Sequence, residues 1–155
     1  MPDAMLQLAK VEAIVVELFS FIPPIRGIYY AEENMPPIIG LDKSLIHDTP
    51  LLRCILAEEL GHHFTTAGCY IPRQFYNYSD CLTISKIEFK AMRWAVNYLM
   101  PEDDLLDVIS SGLYESWELA EHFNVTEEFA KFRLKLFGAK EINTTVSFHY
   151  KMNVL

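Results

Sequence analysis

The chain contains no run approaching the roughly 20 apolar residues that a membrane-spanning helix needs. Its first stretch lacks the basic segment of a secretory leader, and Glu12 and Glu17 interrupt the most apolar part of it. Positive charge is scarce: 13 Lys and Arg stand against 21 Asp and Glu, for a formal net charge of −8. That balance argues against a protein whose main work is gripping a phosphate backbone. Cysteine is scarce too, and Cys54, Cys69 and Cys81 form no Cys-x-x-Cys pair. Three thiols so placed fit a reduced chain with ordinary core cysteines, not a disulfide framework. There is no internal repeat, low-complexity tract or linker. The expectation is a cytoplasmic chain with no membrane partner. At 155 residues, 51% of them apolar and 13% aromatic, it is long enough for one domain spanning 1–155 around a single core.

An amphipathic helix is expected from residue 4 to about 19, stopped before Pro23-Pro24. Gly27-Ile28-Tyr29-Tyr30 and Ile38-Ile39-Gly40-Leu41 read as short strands either side of the turn Asn34-Met35-Pro36-Pro37. Thr49, followed by Pro50, is expected to cap a helix running to about Thr66. Residues 67–78 mix Gly, Pro and polar aromatics and read as a loop. A second long helix is expected over about Ser85 to Met100, ended by Pro101. Two or three shorter helices follow, making a helical C-terminal subregion of about 102–138. The alternation Val146, Phe148, Tyr150, Met152 suggests a last strand. The fold class is therefore α+β: mostly helical, with a small N-terminal β-sheet.

The chemistry concentrates in Ala57-Glu58-Glu59-Leu60-Gly61-His62-His63. On a helix advancing about 100° per residue, with Leu51 at zero, Glu58 falls at about 340°, His62 at about 20°, Ile55 at about 40° and Glu59 at about 80°. Two carboxylates and an imidazole thus share an arc with the apolar residues expected to face the core, while Arg53, Ala57 and Leu60 lie on the other side. Burying two unpartnered carboxylates costs several kcal/mol or forces protonation. A divalent cation removes that problem. Glu58 and His62 project from successive turns and can bind one ion. Glu59, one step around, is close enough to act on water at the ion without ligating it. A Glu/His pair four apart is also common on solvated helices; the apolar company and the adjacent Gly61, which permits close packing, tilt the balance toward metal.

Glu59 and His63 are four apart as well. The Glu58/His62 register is preferred because it leaves a glutamate free as base. His63 then reads as a group supporting a ligand, as a transition-state donor, or as an exposed histidine. Tyr70, Tyr76 and Tyr78 read as further donors or as packing.

The second long helix offers a third ligand. With Glu88 at zero, Met92, Ala95 and Leu99 fall within about 40° of it, while Lys86, Lys90, Arg93 and Asn97 gather at about 140–200°. Glu88 heads the apolar stripe and the neighbouring cations point the other way. Ser85-Lys86-Ile87-Glu88 also fits the S-x-x-E capping box, so cap and ligand both remain open.

Together these stretches resemble the ImmA/IrrE family of metallopeptidases, zincin-like proteins with a His-Glu-x-x-His helix and a third, glutamate ligand on the next long helix. Leu56 to His63 and Lys86 to Pro101, with its Leu-Met-Pro ending, carry the resemblance. The helix–strand–strand lead-in and Leu119-Ala120-Glu121-His122-Phe123-Asn124-Val125-Thr126 extend it over roughly 5–137. It implies a gluzincin-like peptidase with Glu59 as general base, and His62 and Glu88 as ligands of zinc or another divalent ion. It also implies a protein substrate, a Cro/cI-like transcriptional repressor cleaved by an antirepressor protease of mobile-element type. Glu58 stands where the family usually has the first His, and a carboxylate oxygen can ligate there.

Two rivals differ in class. An inactive relative would bind a repressor without cutting it, and Glu58 keeps that reading alive. The tail from Leu119 to Phe137 has helix-turn-helix spacing, but Glu127 and Glu128 open the would-be recognition helix, so packing or partner binding is preferred to direct nucleic-acid binding.

Overall fold

The structure, a computed structural model, describes residues 3–66 and 78–138. Helix α1 (Asp3–Val11) leads into strand β1 (Val15–Phe19), followed by β2 (Gly27–Tyr30) and β3 (Ile38–Asp42). A 3-10 turn, Lys43–His47, leads to the long helices α2 (Thr49–Thr65) and α3 (Tyr78–Leu99). Helices α4 (Glu102–Ser110), α5 (Ser116–Phe123) and α6 (127–138) complete the described chain. The α+β class, mostly helical with a small N-terminal sheet, is as expected. No helix among the described residues is long and apolar enough to cross a membrane.

The first helix is shorter than its apolar spacing implies. It stops at Val11, Ala13 turns the chain with φ 55°, and Ile14 N donates back to Ala9 O at 2.8 Å. The β-branched Val15 and Val16 then enter a strand, where β1 pairs parallel to β3 with Val15 opposite Ile38. That partner lies more than 20 residues away, and local periodicity carries no trace of it. β2 pairs antiparallel to β3, Gly27 opposite Leu41 and Tyr30 opposite Ile38, giving the order β1-β3-β2. Tyr29, Ile39 and Leu41 alternate onto one buried face, and Gly27 on that face abuts Ile55 and Glu59 of α2.

Two helix starts differ from expectation. Asp48, not Thr49, caps α2: its carboxylate accepts from Leu51 N at 3.1 Å, with Pro50 in the first turn. α3 begins at Tyr78, so Ser85 lies inside the helix and Ser85-Lys86-Ile87-Glu88 is not a cap. The deepest core is also not where the arc of carboxylates suggested. Leu56, Ala57 and Leu60 are fully buried on the far side of α2, because α3 and the tail helices cover it. The Glu58/His62 face instead looks along the sheet into a cavity. The second stripe holds: Ala91, Ala95 and Leu99 are buried while Lys86, Lys90, Arg93 and Asn97 are exposed.

Of the described glycines, Gly61 is the one held most closely by its neighbours. A Cβ there would overlap the Ala91 carbonyl oxygen and stand 2.9 Å from its carbonyl carbon, so α2 and α3 pack backbone to backbone. The tail is tied to this pair. Arg133 Nε donates to Met100 O at 2.9 Å, Arg53 Nε donates to Asn124 O at 3.0 Å, and Leu119, Val125, Phe129 and Ala130 join the core. Glu127, at the start of α6, accepts from Ser116 and pairs with Lys131 at 2.9 Å. The expected strand at Val146–Met152 lies outside the described residues.

Candidate metal centre

Three donors meet where α2 and α3 touch. One ligating atom from each of Glu58, His62 and Glu88 lies within 4.8 Å of the others, and His62 Nε2 stands 3.2 Å from Glu88 Oε2. The close Gly61–Ala91 approach makes this reach possible, since His62 follows Gly61 and Glu88 lies one turn before Ala91. Around a tetrahedral ion with bonds of about 2.1 Å, ligand atoms sit about 3.4 Å apart. The His62–Glu88 spacing already has that size, and the set closes with small side-chain movement. One imidazole and two carboxylates are chemically competent for zinc, and equally for harder divalent ions. The residues present fit a divalent cation.

The electrostatics point the same way. Burial pushes the Glu58 carboxyl up, Glu88 adds to this, and His62 opposes it. Glu59 is only 8% exposed and its carboxyl is held well above its ordinary range, first by burial and then by Glu58 and Glu88. Three carboxylates crowded in a partly dry pocket repel one another, and either protonation or a dication would relieve them.

Glu59 lies under β2, where a Cβ at Gly27 would come within 2.6 Å of its Oε1. A cavity of ≈ 270 Å³ opens between β2 and the two helices, lined by Pro24, Arg26, Gly27, Ile28, Tyr29 and Ile55 together with Glu58, Glu59, His62 and Glu88. All four residues singled out for the site therefore share one cavity.

His63 does not join them. Its Nδ1 shares a 3.0 Å hydrogen bond with the Tyr29 hydroxyl, and its Nε2 stands 3.6 Å from Glu12 Oε2. Tyr70 and Tyr76 lie outside the described residues, and Tyr78 opens α3. Sequence reasoning missed Arg26, Gly27 and Tyr29. A glycine opening an apolar strand is a mild sign of close backbone approach, and Tyr29 follows by alternation. Arg26 carried no signal.

Residues 8–135 match the IrrE N-terminal-like domain of the Peptidase_M78 family. No curated protein matches the chain.

Proposed function

The chain belongs to the family of peptidases with an IrrE N-terminal-like domain, and from that premise we propose that it is a zinc-dependent endopeptidase in which Glu58, His62 and Glu88 hold the ion and Glu59 is the general base. The observation that carries this reading is the convergence of three donors from two helices within 4.8 Å, with a fourth, Glu59, buried beside them in the same cavity.

A bound divalent ion supplies an electrophilic centre that makes water nucleophilic near neutral pH and polarises a peptide carbonyl. Glu58 and His62 would hold it from successive turns of α2, and Glu88 would join them from α3. Glu59 takes the proton of the attacking water on a carboxylate oxygen and passes it to the amide nitrogen that leaves. Ile55 and Tyr29 line the cavity beside Glu59 and His62, which are themselves buried. Strand β2 is an edge of the sheet among the described residues and runs along the cavity, so an extended peptide added to it would bring its backbone to the site. The family implies a protein substrate. The substrate we assign is a Cro/cI-like repressor, cut once to release expression.

Glu58 favours a second reading, capture of the repressor without cleavage. Two carboxylates and a dication are formally neutral, so water there is less acidified than beside a single carboxylate. One comparison separates the two. With zinc and repressor, the parent chain should cut, while Glu59→Gln should keep its zinc content and melting temperature and lose cleavage, because proton transfer and not ligation is removed. A Glu59→Gln protein that cuts at the parent rate refutes the base assignment. A parent that binds the repressor but never cuts it establishes capture.

A further inference from the structure

Arg26 is the one Lys or Arg among the described residues that line the cavity, in the company of Glu58, Glu59, His62 and Glu88. Its backbone is fixed, because its carbonyl accepts from Asp42 N at 2.8 Å just before β2 begins. Its side chain is tethered at one end. Nη1 donates to Ser44 Oγ at 2.6 Å and stands 3.9 Å from Asp42 Oδ1.

A purely structural tie would have closed on Asp42. That carboxylate is satisfied by other donors: Phe21 N at 2.9 Å, Ser44 N at 3.0 Å, and the Ser44 hydroxyl. Ser44 and Phe21 do most to hold it at about 2, and attraction to Arg26 contributes least. A guanidinium carries five N–H donors, and the Arg26 side chain is 47% exposed. A group held at one edge with its other donors open is pre-organised for a carboxylate, which it grips in a planar, two-pronged fashion that Lys cannot match.

Position decides which carboxylate. Gly27, the next residue, abuts Glu59, and strand residues are spaced about 3.3 Å apart. A peptide laid along the edge of β2 therefore passes Arg26 within one or two residues of the bond presented to Glu59. We infer that Arg26 selects substrates carrying a carboxylate beside the bond to be cut, supplied by an Asp or Glu side chain or by the peptide's own C-terminus. The inference rests on the peptidase reading for the cutting step, but not for recognition, and the test keeps the two apart.

Short fluorescein-labelled peptides, identical except for a central Asp, Asn or Lys and all amidated, are titrated against the zinc-loaded chain by anisotropy. A fourth carries the central Asn with a free C-terminus. The parent should bind the Asp peptide, the free-terminus peptide or both about tenfold more tightly than the amidated Asn peptide, and which of them gains identifies the source of the carboxylate. Arg26→Gln, which keeps a donor for Ser44, should lose that advantage at an unchanged melting temperature, and Arg26→Glu should shift it toward the Lys peptide. Equal affinities on the parent, no binding at all, or an advantage that survives in Arg26→Gln overturns the inference. Mass spectrometry of the same mixtures reads cleavage separately. Preference without cleavage removes the peptidase reading and leaves the inference standing; cleavage indifferent to the carboxylate does the reverse.

Discussion

Replacing Gly61 by Ala reverses the usual sign of that substitution. In an ordinary helix interior, Gly→Ala stabilises by about 1 kcal/mol through backbone entropy. Here the new Cβ would overlap the Ala91 carbonyl oxygen and stand 2.9 Å from its carbonyl carbon and 3.0 Å from its Cα. All three are backbone atoms that no rotamer change can move aside. Restoring ordinary contact requires α2 and α3 to separate by about 1 Å. Overpacking of this kind costs about 1–3 kcal/mol, or about 4–8 °C in melting temperature near the middle of that range for a chain of this size. The separation falls between His62 and Glu88, whose 3.2 Å spacing must widen with it. Zinc affinity should therefore drop about 10–100-fold, the scale seen when groups supporting metal ligands are disturbed. Calorimetry and a zinc titration against a competing chelator measure both effects. A Gly61→Ala protein that melts at or above the parent temperature with unchanged zinc affinity refutes the argument that this contact sets the site.

Glu58→His adds one unit of charge and a nitrogen donor, so zinc should bind more tightly and the optimum of cleavage should move to lower pH; unchanged zinc affinity would mean that residue 58 does not touch the ion. With metal stripped, Glu58 and Glu59 carry folded pKa values above the ordinary 4.5, so the native state binds more protons than the unfolded one above that pH. Their contribution to stability is present below pH 4.5 and lost as pH rises through the folded values, so the melting temperature of the stripped chain should fall as pH rises, and zinc should flatten the fall. Asp42 acts in a separate window, because its contribution is present above 3.8 and lost as pH falls toward 2. A stripped protein whose melting temperature holds steady or climbs above pH 4.5 contradicts the crowding of these carboxylates.

What was legible in the sequence was whatever a single helix or turn decides. Glu58, Glu59 and His62 share an arc of α2 and Glu88 heads a stripe on α3 that its own spacing reveals, so helical angles marked all four residues, and the family resemblance joined Glu88 to the other three. Gly61 was legible as a close-packing residue because a glycine amid good helix formers has few other reasons to be there. The rest was settled by partners distant in the chain. Val15 and Val16 satisfy a helical stripe as well as a strand, and only pairing with Ile38 and Ile39 decides for the strand. The start of α3 at Tyr78 was hidden by a stretch of Gly, Pro and polar aromatics that reads as a loop. Arg26 enters the cavity because β2 pairs with β3 and lies over α2, a placement no local pattern encodes. The side of α2 that faces the deep core was misassigned for the same reason: helical angle separates faces but does not say which neighbour covers each.

The central claim is that one ion sits between α2 and α3. Crystals of the chain soaked in zinc and measured on either side of the zinc absorption edge test it directly. A single anomalous peak within about 2.0–2.2 Å of a Glu58 oxygen, a His62 nitrogen and a Glu88 oxygen is the predicted result. No peak in the cavity, or a peak held by other residues while Glu88 turns away from His62, would contradict it.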